Sequence, residues 1–202
     1  DNIARPLGLD FHIGLGADGE ARCADALGAR PPAPGAHNIL TEIAKHPDSL
    51  TARAFGNPPG LMRSTVFNSH RWRAAEIPSA NGHGDARSLA RLYGALAIGG
   101  ALDGVRILSE VGARRCYEEQ ARGPDLVLPA DTRFSFGFMM TQPEAPFGPN
   151  PDNFGHPGAG GSIGFADPAA GIGFGYVMNR MGPEIVLDPR PRALIDALYE
   201  SL

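Results

Sequence analysis

Lysine is almost missing from this chain of 202 residues: Lys45 stands alone, and the other 17 residues of the Lys+Arg total are arginine. Chemistry that needs a lysine amine therefore has one candidate. Cysteine is also scarce. Cys23 and Cys116 allow one pairing at most and form no Cys-x-x-Cys motif. That spacing argues against a disulfide scaffold and against a zinc site, and both read as buried free thiols. Basic charge is not in excess: the net charge is -4 and the pI about 5.8. A nucleic-acid-binding face is not expected from such a balance. No apolar run approaches the roughly 18 residues that a membrane span needs. The chain opens at Asp1 without an apolar secretory segment. It reads as soluble, with neither nucleic acid nor membrane as partner, and composition does not place its compartment.

What is present is enough apolar side chain for one domain with a core, 43% of residues, and a loop-rich mixture of 27 Gly and 19 Pro. DNIARPLGL at the start reads as the last turn of a helix running into a turn at Pro6 and Gly8, and residues 9–15 as a short strand. PPAPG at 31–35 interrupts the chain, a weak helix is expected over 38–46, and 57–81 is a long ordered excursion around Trp72. The clearest helix follows Asp85, whose carboxylate can accept first-turn amides. Leu89, Leu92, Tyr93 and Leu96 give it one apolar face, and Gly99 and Gly100 supply the stop. Ser109 caps a second helix expected to run to about Gln120. From Asp131 the period changes to two: in RFSFGFMM, Phe134, Phe136, Phe138 and Met140 are expected on one face of a half-buried strand. SIGFA and GIGFGYVMN, joined by DPAAG at 167–171, read as a hairpin. The sheet is thus expected to have three late strands. A closing helix follows from Pro189 to Leu202, capped by Asp188, with Leu194, Ile195, Leu198 and Leu202 as its apolar face.

Four motifs bear on chemistry. Gly14-Leu15-Gly16-Ala17-Asp18-Gly19 matches a dinucleotide fingerprint. The unit needs a second parallel strand with an acid for the ribose, and PPAPG follows instead; Asp18 also sets a negative charge where phosphate would sit. Gly160-Gly161-Ser162-Ile163-Gly164 matches a nucleophile elbow. That chemistry needs a strand before the serine and a helix after it, whereas Ser162 precedes a hairpin, so it reads as a turn serine. The six histidines form no metal-ligand spacing, so no metal site is expected, and His83 reads as a loop residue. The fourth motif is His156-Pro157-Gly158-Ala159-Gly160-Gly161.

This block, continuing into SIGFADPAAGIGFGYVMNR, resembles the third active-site element of the serine β-lactamase/penicillin-binding-protein superfamily. More closely, it is similar to the class C β-lactamase-like esterases, the family VIII carboxylesterases. EIPSANGHGDARSLARLYGALAIGG, LDGVRILS and IARPLGLDFHIGL carry the resemblance along nearly the whole chain. It corresponds to the C-terminal half of the family's domain. The fold it implies is α/β (α+β), with an antiparallel sheet flanked by helices and a helical lobe. About 37–130 would lie mainly in that lobe, 131–202 would supply late strands and the terminal helix, and the N-terminal part would lie outside the chain.

The resemblance also implies a mechanism. A serine in Ser-x-x-Lys attacks an ester or lactam carbonyl, with the lysine and a tyrosine managing the proton, because a hydroxyl is a weak nucleophile until a base takes its proton. The oxyanion then meets preorganised donors. Position by position, His156 takes the place of the usual lysine of the third element, Pro157 that of threonine and Gly158 that of glycine. These three would contact substrate, and the Ala159 backbone N–H would serve the oxyanion. The chain departs from the pattern elsewhere. Glu42 lies three residues before Lys45, so there is no Ser-x-x-Lys, and no tyrosine is followed by Asn two residues on. Nucleophile and general base are therefore expected outside the chain, on a complementing N-terminal segment, and the chain alone is expected to be inactive. No cofactor is implied. Two other readings stand beside this one: a non-catalytic protein that binds a ligand or partner with the remaining pocket wall, and a nucleotide-binding domain built on GLGADG.

Overall fold

A computed structural model describes residues 1–29, 39–57, 60, 64–184 and 186–202. PPAPG at 31–35 and the first residue of the 38–46 helix lie outside these. The opening third consists of short pieces: α1 (Ala4–Leu7), β1 (Phe11–Ile13), α2 (Ala17–Arg22), α3 (Ile39–Lys45), α4 (Leu50–Phe55), α5 (Ser64–Phe67) and α6 (His70–Ala74). As read from sequence, α1 stops at Gly8, whose φ of 64° is open to glycine at little cost. β1 pairs antiparallel with β2 (Gly82–Gly84), with His12 opposite His83. GLGADG therefore divides between the turn after β1, at Gly14–Gly16, and the first three residues of the six-residue α2. The next paired residue, Leu27, bridges to Arg180, far along the chain. Cys23 is half-exposed rather than buried; Cys116 is buried, and both are free.

α7 (Ala86–Ala97) forms as its signals require. The Asp85 side chain accepts from the Ser88 N–H, and Tyr93 and Leu96 are buried on the expected face. β3 (Ala101–Leu102) and β4 (Val105–Arg106) make a small hairpin, and α8 follows as Glu110–Arg115, capped by Ser109. It is shorter than expected, ending at Cys116.

The late sheet has six strands rather than three: β5 (Ala121–Pro124), β6 (Asp131–Phe134), β7 (Met139–Met140), β8 (Phe154–Pro157), β9 (Ile163–Asp167) and β10 (Ile172–Tyr176). They run in the order β10-β9-β8-β7-β6-β5, each pair antiparallel. β5 and α7 belong with this sheet, so sheet-associated residues begin ahead of 131. RFSFGFMM is not one strand. The chain turns at Gly137, which takes φ 85°, and Phe136 is left exposed beneath the Arg115 guanidinium, 5.3 Å from the ring centre. The expected alternation breaks because a positive-φ glycine converts a continuous strand into β6, a turn and β7.

Each face of the sheet is covered by a different helix. On one side Tyr93, Leu96 and Ala97 of α7 pack with Cys116, Met140, Phe154 and Ala166. On the other, Met139, Ala145, Phe147, Ile163 and Phe165 pack with Ile195 of the terminal helix α9 (Pro189–Glu200). Met139 and Met140 divide between the two clusters because successive strand residues face opposite ways. Two glycines let α7 lie close: a Cβ on Gly173 would strike Gly94 N and Ala90 O, and one on Gly175 would strike Ala86 O. The α9 face differs from the expected one. Ile195 and Pro191 are buried and Tyr199 packs against the cluster, while Leu194 and Leu202 are exposed. Among the described residues, no helix is long and apolar enough to cross a membrane.

Candidate functional site

β8 carries His156 and Pro157 at its end, opposite Gly164 and Ile163 of β9, and residues 158–162 close the hairpin. The sheet thus brings the four residues singled out from sequence to one strand end. His156 is exposed. Its Nδ1 lies 2.7 Å from Pro157 O. A carbonyl only accepts, so Nδ1 carries a proton in this contact. The Phe134 ring stands 6.4 Å away, centre to centre. Pro157 is buried and offers no hydroxyl.

The loop is a tight turn built on glycine. Gly158 N–H donates to Ser162 O at 2.6 Å, and Gly161 N–H donates to Gly158 O at 3.0 Å. Gly160 and Gly161 take φ values of 92° and 111°, which side chains rarely adopt. A Cβ on Gly158 would also collide with Ser162 Oγ. Ser162 itself leads directly into β9 with no helix behind it. Ala159 is the exposed apex, and its N–H has no acceptor among the described residues. The peptide plane explains where it points. Gly158 O turns inward to Gly161 N–H, and in a trans peptide the N–H opposes the C=O, so Ala159 N–H turns outward. An unpaired outward amide on a glycine turn can receive a developing negative oxygen.

Sequence reasoning missed what lies behind this turn. The segment after β10 comes up beneath it: Gly182 N–H donates to Gly160 O at 2.7 Å, and Leu27 secures that segment through Asn179 O and Met181 N–H, at 2.6 and 2.9 Å. Arg190 adds a second donor to Gly160 O, its Nη2 at 3.0 Å. The same guanidinium donates to Arg180 O at 2.8 Å and pairs with Asp188 at 2.7 and 2.8 Å. Asp188 is buried and also caps α9 by accepting from Arg190 N–H at 2.9 Å. The Arg190 guanidinium, with help from that amide, holds the Asp188 carboxyl below the usual carboxylate range, against the opposing effect of burial. Asp188 was readable as a cap; that Arg190, two residues on, lies within reach of it was the available signal.

The Beta-lactamase family pattern matches residues 1–198. Esterase/beta-lactamase LipL of Mycobacterium tuberculosis (strain ATCC 25618 / H37Rv) is 34% identical over 194 residues, covering 93% of this chain and 43% of that protein. The crystal structure of a family VIII carboxylesterase superposes with a TM-score of 0.83 at 41% identity, over 100% of this chain and 50% of that one. A penicillin-binding protein homolog from Caulobacter crescentus gives a TM-score of 0.80 at 41% identity, over 100% of this chain and 51% of that one. The chain spans about half the length of these relatives. With an antiparallel sheet between helices and a pattern match along nearly its whole length, this chain belongs to the Beta-lactamase family.

Proposed function

We propose that this chain forms the oxyanion-receiving wall of a serine hydrolase that cleaves small carboxylic esters, with β-lactams as a side substrate, through an acyl-enzyme. The observation that carries the reading is the outward Ala159 N–H, unpaired at the apex of a glycine turn. Relatives named as an esterase/beta-lactamase and a family VIII carboxylesterase support the substrate class. In this scheme a serine hydroxyl attacks the ester carbonyl, a lysine and a tyrosine take its proton, and Ala159 N–H stabilises the oxyanion. The alkoxide leaves with that proton, and water then hydrolyses the acyl-enzyme. His156, Pro157 and Gly158 line the substrate side. Serine, lysine and tyrosine come from a complementing N-terminal segment outside these 202 residues. The scheme calls for no metal or organic cofactor.

The test compares the 202-residue chain with the polypeptide that includes the coding region upstream of Asp1. The longer protein is expected to turn over p-nitrophenyl butyrate with saturation and to take a fluorophosphonate label on a serine of a Ser-x-x-Lys motif. The chain alone is expected to hydrolyse no faster than a scrambled control. Saturable turnover by the chain alone, or a label on Ser162, would overturn the assignment.

A further inference from the structure

We propose that Arg190, held by Asp188, is a positioning residue for the Ala159 amide; this rests on the hydrolase reading above. Two peptide planes link the arginine to the amide. Gly160 O and Gly161 N–H belong to one plane, and Gly158 O and Ala159 N–H to another. Arg190 Nη2 and Gly182 N–H hold the oxygen side of the first plane, at 3.0 and 2.7 Å. The opposite side of that plane donates Gly161 N–H to Gly158 O at 3.0 Å. That bond sets the tilt of the second plane, and with it the direction of Ala159 N–H. A grip on one carbonyl therefore aims an amide two peptide planes away.

The turn needs such a grip. Gly160 and Gly161, at φ 92° and 111°, sit in conformations that glycine enters and leaves freely, so outside contacts must select them. The contact available through Gly160 N–H is long, 3.4 Å to Glu184 O. Space permits no side chain here: a Cβ on Gly161 would lie 2.9 Å from Asp188 Cβ, and one on Gly182 would collide with Asp188 Oδ2. Arginine suits the task because one planar fork reaches Asp188, Arg180 O and Gly160 O together. Lysine, with a single ammonium, could keep the ion pair but not all three directions.

The experiment uses the full-length polypeptide and two variants, Arg190→Lys and Arg190→Met. Arg190→Lys retains the Asp188 pair and the helix cap, so it keeps the fold if Arg190→Met does not. On p-nitrophenyl butyrate, kcat is expected to fall about tenfold in Arg190→Lys and further in Arg190→Met, with KM within about twofold, because misaim of a transition-state donor costs rate rather than binding. Tyr199→Phe, which cuts a partly buried hydrogen bond at the other end of the same helix, is the control: lower melting temperature, unchanged kcat. Amide exchange read on the same proteins is expected to speed about tenfold at Gly161 and Gly182, with the Phe165 amide of β9 unaffected. Unchanged kcat in Arg190→Lys would overturn the proposal, as would unchanged exchange at Gly161. A wild-type protein with no esterase activity would overturn the hydrolase reading instead, and the exchange at Gly161 would still decide whether Arg190 aims the turn.

Discussion

The two ends of α9 each bury a carboxylate, and they solve the problem differently. At the amino end, Asp188 meets a cation whose spare donors reach past it to Arg180 O and Gly160 O. At the carboxyl end, Asp167 is satisfied by neutral donors alone: Tyr199 OH at 2.5 Å, Asn150 Nδ2 at 2.6 Å, and the Ala169 and Ala170 amides at 2.9 Å. Burial pushes Asp167 upward, but those four donors outweigh it and hold the carboxyl below its usual range. The same burial, with the neighbouring carboxylate, raises the Tyr199 phenol well above its ordinary value. The neutral network ends on itself, tied off by Asn153, which donates to Tyr199 Oη and Phe147 O. It is a fastening. The charged pair has donors left over, so it can pass a constraint on to the glycine turn.

The largest disturbance of this contrast comes from removing what both ends share. Ile195 is 1% exposed and packs among Met139, Phe147, Ile163 and Phe165. Ile195→Ala is expected to cost about 2–5 kcal/mol by urea unfolding, the range for a fully buried aliphatic truncation. It should loosen the turn and the Asp167 network together. A cost well under 1 kcal/mol would mean that α9 is not docked through this face.

Next in size is the neutral end alone. Tyr199→Phe keeps the ring against Gly148 but leaves Asp167 one donor short and Asn153 Nδ2 one acceptor short, a loss of about 1–3 kcal/mol near neutral pH. The pH dependence gives it a signature. Asp167 is lowered in the folded state, so its contribution is present above the unfolded carboxylate pKa and is lost as pH falls through the folded one. Without the phenol, that pKa returns toward the ordinary value. The stability gap between wild type and Tyr199→Phe should therefore be widest near pH 7 and shrink once the pH drops below about 4. Urea midpoints measured across that range check it; a gap that widens on acidification would contradict the assignment.

How much of this was legible in the sequence differs in the same way. α7 could be read because cap, apolar face and stop are all local: Asp85, Tyr93 with Leu96, Gly99 with Gly100. The β9–β10 hairpin could be read for a like reason. β7, two residues long, is too short to show a period, and the Gly137 turn made two strands look like one. The histidine–glycine block is contiguous, but His-x-Gly alone is a weak pattern; the order of the three blocks along the chain is what carries the family resemblance. Asp188 was readable as a helix cap, but the reach of Arg190 to Gly160 crosses 30 residues and depends on how the segment after β10 passes under the turn. Cys23 was misjudged because apolar composition says nothing of its place beside an exposed α2.

Separating cap from pair at Asp188 sharpens the comparison further. Asn at this position keeps an oxygen for Arg190 N–H and loses the charge; Ala loses both. Asp188→Ala is expected to be about 1 kcal/mol less stable than Asp188→Asn, the usual worth of a helix cap, in the same urea assay. Equal stabilities would show that the cap adds nothing here and that the carboxylate acts only through Arg190.

The smallest effect tests the register of the helix itself. Apolar periodicity placed Leu194 with Ile195, Leu198 and Leu202, yet Leu194 is 51% exposed. Neighbouring residues on a helix point about 100° apart, so a stripe centred on Ile195 has to leave Leu194 at its margin. The stripe that docks is Pro191, Ile195 and Tyr199, each four residues from the next, with an amphipathic tyrosine supplying the last contact. Leu194→Ala is therefore expected to change stability by no more than about 0.5 kcal/mol, as at an ordinary surface position. A cost comparable to that of Ile195→Ala would mean that α9 sits rotated from the orientation described, and with it the angle at which Arg190 meets Gly160.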